Sequence, residues 1–283
     1  MSRIHYDLRA RDFVLELGHE TRIMGIVNCT PDSFSHDGKL GVSACLRHAR
    51  QLIREGADIL DIGGESTRPG ALSVSSKEEI RRVIPVIEAL ARSVKVPISI
   101  DTSKLEVARC ALDAGAAIVN NVRGTQMGSG FLKMVREYQA SIVIMHMRGT
   151  PRTMQSKAIY KDVVKEIIEE LKISVEKCLG VGIKKERVIV DPGIGFAKTF
   201  DQNLVLIHHL SKLNILGCPI MLGTSRKSFI GDILEQPVGR RLMGSAATVT
   251  AGVLQGAHII RAHDVKAIKE TLKVTDAILN AKA

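Results

Sequence analysis

Tryptophan is absent from the 283-residue chain, and only three tyrosines and six phenylalanines are present. A groove that stacks single-stranded nucleic acid needs aromatic platforms. Nucleic acid is therefore a poor partner, although 40 Lys and Arg outnumber 30 Asp and Glu for a formal charge of +10. That excess fits a small anionic substrate as well as it fits a polyanion. No run reaches the roughly 18 to 20 apolar residues of a membrane span. The opening MSRIHYDLRARDFVLELG has no apolar block of a signal peptide. The expectation is a cytoplasmic protein with no membrane partner. The five cysteines, Cys29, Cys45, Cys110, Cys178 and Cys218, are odd in number and lack a C-x-x-C pair, which disfavours structural disulfides and a thiolate zinc site. No Pro/Ser/Gly-rich tract, charge block or repeat divides the chain. One domain is expected over 1–283, with 1–20 as an N-terminal extension.

What is present is a 45% hydrophobic, 25% charged sequence in which short β-branched runs alternate with stretches of helical periodicity. The runs are Arg22 to Asn28, Asp58 to Gly63, Pro97 to Asp101, Ala117 to Val122, Ser141 to Met147, Val188 to Pro192, Pro219 to Thr224 and His258 to His263. Helices are expected between them, for example over Ser43 to Glu55, Lys77 to Ser93, Leu105 to Ala114, Tyr160 to Gly180 and Asp201 to Leu213. Runs apolar on both faces, each followed by a helix, describe a parallel sheet covered by helices. The α/β (β/α)8 barrel (TIM barrel), about 250 residues long, satisfies this; an open doubly wound sheet is the alternative. His5 to Leu8 and Phe13 to Leu17 would form a hairpin before the barrel.

Chemistry in such barrels sits at the carboxyl ends of the strands, and here those ends are polar. Asn28, Asp61, Asp101, Asn120, Asn121, His146, Asp191, Arg261 and His263 close or follow the runs, with Ser225-Arg226-Lys227 after MLGT. A single Asp or Asn there reads as a helix cap. Polar groups converging from nearly every strand need something to satisfy them. Asp101, Asn120, Asp191 and Lys227 suit a flat heterocycle rich in N–H and C=O groups. Asn28, Arg261 and His263 read as a separate cluster for phosphate, with Asn28 an oxygen ligand for Mg²⁺.

Three loops stand out by their small residues, Pro and Gly: 28–39, 63–70 and 223–228. The last lacks the Gly before Lys of a P-loop, and Gly193-Ile194-Gly195 is not completed as a dinucleotide fingerprint. His208-His209 reads as surface rather than metal site, and His146 as either an interior histidine or a ligand contact.

The segments MGIVN with TPDSFS, DIGGESTRPG, DPGIGF and SRKS, at 24–35, 61–70, 191–196 and 225–228, resemble the hallmark motifs of bacterial dihydropteroate synthases. The resemblance runs from about Thr21 to the last helix. It implies a homodimeric transferase of folate biosynthesis. The enzyme would condense (7,8-dihydropterin-6-yl)methyl diphosphate with 4-aminobenzoate, with Mg²⁺ as cofactor, and would be a target of sulfonamides. By the same resemblance Asp101, Asn120, Asp191, Phe196 and Lys227 would hold the pterin. Asn28, Arg261 and His263 would hold the diphosphate and metal, and Phe34, Thr67, Arg68, Pro69 and Ser228 would surround 4-aminobenzoate. Asp101, Asp191, Lys227 and Arg68 would be the catalytic set. Three positions depart from the family's commonest pattern: His36-Asp37-Gly38 where Asp-Gly-Gly is usual, Asn121 in place of Asp, and the small Ala262. A pterin-dependent methyltransferase of the same fold is the nearest alternative and a non-enzymatic basic binding protein a remote one. The methyltransferase should lack the TPDSFS and SRKS segments.

Overall fold

Apolar residues that recur on both faces of a strand must be covered on both sides, and the chain does this by closing its sheet. The computed structural model describes residues 3–29, 38–66 and 73–281. A two-stranded antiparallel hairpin, β1 (Tyr6–Ala10) and β2 (Phe13–Leu17), comes first. Eight parallel strands follow: β3 (Arg22–Asn28), β4 (Ile59–Gly63), β5 (Ile98–Asp101), β6 (Ile118–Asn121), β7 (Ser141–Met145), β8 (Val188–Asp191), β9 (Met221–Leu222) and β10 (Ile259–Ala262). Their order is β8-β7-β6-β5-β4-β3-β10-β9. The ring closes where Val190 bridges Ile220 and donates its N–H to Pro219 O at 3.0 Å.

The outer ring contains α1 (Gly38–Glu55), α2 (Ser76–Ala91), α3 (Leu105–Asp113), α4 (Ser129–Glu137), α5 (Val163–Gly180), α6 (Phe200–His208), α7 (Ser228–Leu234), α8 (Leu242–Leu254) and α9 (Val265–Leu279). This is the expected (β/α)8 barrel, and the open sheet is ruled out. Each expected strand is present, most of them shortened at one or both ends. β9 starts late because Pro219 has no N–H to give a ladder and the Ile220 N–H goes to the His258 ring at 3.1 Å. Helix boundaries differ too: α1 begins at Gly38, five residues before the expected Ser43, and α2 ends at Ala91 rather than Ser93; two further boundaries moved for local reasons. α5 starts at Val163, not Tyr160, because the Asp162 side chain accepts the N–H groups of Val164 and Lys165. The helix expected through Leu213 ends at His208 and passes into a 3-10 segment, Leu210–Leu216, that stops at Gly217 with φ +60°.

Alternation along the strands builds two cores. Outward residues such as Ile23, Leu60, Ile100, Val119, Ile142 and Val190 pack against the helices. Inward residues at the lower end, Met24, Ile59, Ile118, Val143, Ile189, Met221 and Ile259, meet Leu8, Ala10 and Leu17 of the hairpin, which plugs the amino-terminal mouth. The plug is tied down by polar contacts: Arg3 and Thr21 both bond the Asp276 carboxylate on α9, and His258 Nε2 lies 3.0 Å from Ile4 O.

Candidate active site

The same period-two alternation that fills the barrel floor with apolar side chains lines its upper end with polar ones. On β4, β6, β8 and β10 the inward position changes from Ile59, Ile118, Ile189 and Ile259 to Asp61, Asn120, Asp191 and Arg261 two residues later. Strand register then sets the neighbours: Asn28 pairs with Gly63, Gly63 with Asp101, and Asp101 with Asn120. A Cβ at Gly63 would sit in ordinary contact between Asn28 and Asp101, 3.6 Å from Asp101 Cβ and 4.0 Å from Asn28 Oδ1. The carboxyl ends of the strands therefore form one polar, concave floor.

The two expected clusters are not separate. Arg261, assigned by the sequence to a phosphate end, donates from Nε to Asp61 Oδ2 and from Nη2 to Asp101 Oδ2, both at 2.7 Å. Asn120 Nδ2 donates to the same Asp61 oxygen at 3.0 Å. A guanidinium taken largely out of water has to be paired, and the carboxylates it meets come from β4 and β5. The result is a network Asn120–Asp61–Arg261–Asp101 across four strands. Asp61 is fully buried at its centre. Sequence reading placed Asp61 among the strand ends without giving it a role, because nothing local shows which arginine a carboxylate will meet. Asp101 Oδ1 is buried and has no hydrogen-bond partner among the described residues. Burial, opposed by the Arg261 charge, pushes the Asp101 carboxyl up to about 7.

On the opposite wall, Asp191 Oδ1 accepts Gly193 N–H at 2.7 Å. Burial raises its pKa against that bond and the nearby cations. Lys227 caps the start of α7 and places Nζ 4.1 Å from the centroid of the Phe196 ring. Burial, reinforced by Arg261, lowers its ammonium to about 8. The Lys227 chain also runs against the backbone of Gly195, where a Cβ would meet Lys227 Cδ at 3.1 Å. Ser225 Oγ lies 3.1 Å from His263 Nδ1, which joins the loop after β9 to the end of β10. Arg226, at φ +60°, turns away to Asp264, donating from Nε to Oδ2 at 2.9 Å. Ser228 is exposed at the first residue of α7.

The structure thus brings together Asp101, Asn120, Asp191, Phe196, Lys227 and Arg261, with Asn28, Ser228 and His263 at the rim. Phe34, Thr67, Arg68 and Pro69, and Asp37 in the first loop, lie outside the described residues. Asn121 faces away from this floor and takes the Arg123 N–H at 2.8 Å. His146 is an interior residue: fully buried, with Nε2 2.9 Å from Glu170 Oε2 and Nδ1 3.2 Å from Lys198 Nζ. His208 and His209 form an edge contact of their rings on the outside of the barrel. The residue missed altogether is Lys198, almost completely buried beneath the Phe196 loop; with no strand end or motif marking it, only the fold reveals it.

Among the described residues no three His, Cys, Asp or Glu side chains assemble into a metal cage. What the mouth offers is the exposed Asn28 carboxamide at the end of β3. That donor set fits Mg²⁺ carried largely by substrate phosphate oxygens and water, the usual manner of its binding to phosphorylated substrates.

With the geometry in place, comparison with known proteins gives a consistent answer. The family described as pterin binding enzyme matches residues 24–263. A dihydropteroate synthase of Synechocystis is 45% identical over 267 residues, 94% of this chain and 92% of that protein. The crystal structure of the Xanthomonas albilineans dihydropteroate synthase with 4-aminobenzoic acid superposes with a TM-score of 0.91 at 40% identity, covering 99% of this chain and 100% of the other. The Yersinia pestis dihydropteroate synthase with a sulfonamide drug complex gives the same TM-score, identity and coverage.

Proposed function

The chain belongs to the pterin binding enzyme family and, within it, to the dihydropteroate synthases, and from that premise we propose how its barrel mouth performs the synthase reaction. The reaction condenses (7,8-dihydropterin-6-yl)methyl diphosphate with 4-aminobenzoate. The bond from the pterin methylene to the diphosphate oxygen breaks, a C–N bond to the aromatic amine forms, and diphosphate and a proton are released.

The observation that carries the site assignment is the convergence of Asp101, Asn120, Asp191 and Lys227 on one floor, with Asp101 Oδ1 buried and unpartnered among the described residues. A flat ring edged with N–H donors satisfies that oxygen, the second oxygen of Asp191 and the carbonyl of Asn120. Lys227 donates to ring acceptors, and Phe196 supplies a face. In a loose transition state positive charge builds on the pterin, and the carboxylates of Asp101 and Asp191 stabilise it by fixed electrostatics. Arg261 faces the developing negative charge on the departing diphosphate while its partners Asp61 and Asp101 hold it in place. Asn28 would hold Mg²⁺ together with the diphosphate. When bound, that ion supplies charge neutralisation to the leaving group. The aromatic amine is neutral at pH 7 and attacks without a strong general base. Ser228 and the loop residues Phe34, Thr67, Arg68 and Pro69 are assigned to 4-aminobenzoate, and sulfonamides would compete there.

A homodimer is also proposed. Ile233, Leu234, Leu242 and Met243 on α7 and α8, together with Val238 between those helices, expose an apolar face, Met243 to 78%, of the kind that marks an interface. A single-chain mass in sedimentation would remove this part of the reading.

The test of the function is direct. Pterin diphosphate, 4-aminobenzoate and Mg²⁺ should yield dihydropteroate and diphosphate in equal amounts. Omission of 4-aminobenzoate should abolish the product. A folded protein that makes no conjugate under any of these conditions would falsify the reading.

A further inference from the structure

The loop between β8 and α6 carries the Phe196 ring and the turn that orients Asp191, yet its backbone is irregular. Gly193, Gly195 and Ala197 all lie in the left-handed region, at φ +70°, +80° and +50°. For Ala197 that region is unfavourable by about 1 kcal/mol, so neighbours must hold it. They do so with side chains: Asp191 takes Gly193 N–H, Asn203 Oδ1 takes Gly195 N–H at 2.7 Å, and Tyr160 Oη donates to Ala197 O at 3.0 Å. The remaining anchor is Lys198, whose Nζ donates to Phe196 O at 2.8 Å. Nζ also lies directly behind Gly193, 3.4 Å from where a Cβ would stand.

Lys198 is 3% exposed, and both of its hydrogen-bond partners among the described residues are uncharged: Phe196 O and His146 Nδ1. The protons can be placed. Glu170 accepts only, so His146 Nε2 carries the hydrogen toward it. Burial, with the Lys198 charge second, keeps His146 neutral at about 4. Nδ1 is therefore bare and accepts from Lys198. Glu170 also accepts from Arg148 Nε at 2.9 Å, so the chain Phe196–Lys198–His146–Glu170–Arg148 runs from the site through α5 to the half-buried Arg148 in the loop after β7. An amine with no ion-pair partner at this depth is costly to the fold; a hydrocarbon of the same volume would be cheaper.

We infer that Lys198 is a positioning residue for the pterin half of the reaction: its buried amine holds the Phe196 carbonyl and the Gly193 turn, and so sets the Phe196 ring and the Asp191 carboxylate against the substrate. The inference rests on the reading that this mouth binds the pterin diphosphate. It assigns Lys198 no contact with substrate and no part in 4-aminobenzoate capture.

The test separates the two substrates and separates binding from turnover. With no tryptophan in the chain, quenching of 6-hydroxymethylpterin fluorescence reads binding without background and without turnover. Lys198→Met is expected to weaken pterin binding and raise the KM for the pterin diphosphate by about tenfold, the effect of one lost buried hydrogen bond. The KM for 4-aminobenzoate should stay within about twofold, since a bond lost on the pterin side leaves uniform binding of the other substrate intact. In a Phe196→Ala background Lys198→Met should add no further loss of pterin affinity, because its effect runs through that loop. Should Lys198→Met fail to fold, Tyr160→Phe, which frees Ala197 O while keeping the ring over Arg148, should show the same pterin-selective loss in smaller degree. Wild-type pterin affinity in either folded variant would overturn the inference. So would an equal loss for both substrates, or full additivity with Phe196→Ala. A wild type that binds the pterin but forms no conjugate would instead overturn the proposed reaction.

Discussion

Lys227 shows how single side chains acquire their properties in this barrel. Its ammonium has the Phe196 face 4.1 Å away, is destabilised by burial and Arg261, and is recovered in part by Asp191 and Asp101. Asp101 experiences the opposite balance. If the pterin needs Asp101 ionised and Lys227 protonated, kcat/KM for the pterin diphosphate should be bell-shaped. It should fall below about 7 as Asp101 takes a proton, and above about 8 as Lys227 loses one. Lys227→Arg should lift the alkaline limb to higher pH. Lys227→Ala should cut turnover by about 10²-fold or more with little change in the unfolding temperature. An alkaline limb unmoved by Lys227→Arg would assign it to another group. These residues were legible in the sequence because each lies at or just after the end of an apolar run. Their pairings were not: Arg261 and Asp61 are 200 positions apart, and no local signal says that the Arg261 guanidinium spans two carboxylates before any phosphate arrives.

At the scale of elements, the strands are dictated by short runs apolar on both faces and the helices by their apolar periodicity. Irregular loops are dictated by what lies behind them. Gly193 illustrates the last case. At φ +70°, with its would-be Cβ 2.0 Å from His146 O, it faces a backbone carbonyl at the end of β7 that cannot swing aside. Gly193→Ala is expected to cost about 2–4 kcal/mol, strain and displacement together. Gly130→Ala, inside α4 where a Cβ meets nothing within 4 Å among the described residues, should be neutral or slightly stabilising. Urea unfolding of the two variants checks this. Equal midpoints would mean the β8–α6 loop yields more readily than its contacts imply. Only the family resemblance pointed to Asp191 and Phe196 as pterin contacts; the composition of 191–196 gave no such signal. Nor did the sequence anticipate that His146, a plausible ligand contact by position, would spend both ring nitrogens on Glu170 and Lys198.

For the whole molecule the N-terminal hairpin matters most, because it closes the barrel floor opposite the site. His258 joins the two: its Nδ1 accepts Ile220 N–H at 3.1 Å and its Nε2 carries the hydrogen toward Ile4 O. Burial lowers its pKa to about 4, against about 6.5 when unfolded. A folded pKa below the unfolded one means the contribution is whole above about 6.5 and is lost as pH falls toward 4. The slope is about 1.4 kcal/mol per pH unit for one such group. Asp101 works in the opposite direction over part of that range, so the wild-type profile mixes both signs. The difference is clean: His258→Gln should lower the melting temperature at pH 7, and its further fall between pH 7 and pH 5 should be smaller than that of the wild type. Parallel profiles would show that His258 is not the group titrating. No helix among the described residues is long and apolar enough to cross a membrane, in keeping with a charge spread over helix faces. The sequence by itself determined the barrel, the inventory of its strand ends and the kin it resembles, because apolar runs, helical periodicity and motifs are local and survive in one dimension. Only the tertiary structure decided that Arg261 joins the two presumed subsites, that Asp61 lies at their centre and that Lys198 stands behind the Phe196 loop. Those are contacts between distant segments, made by register and ring closure, and no spacing along the chain encodes them.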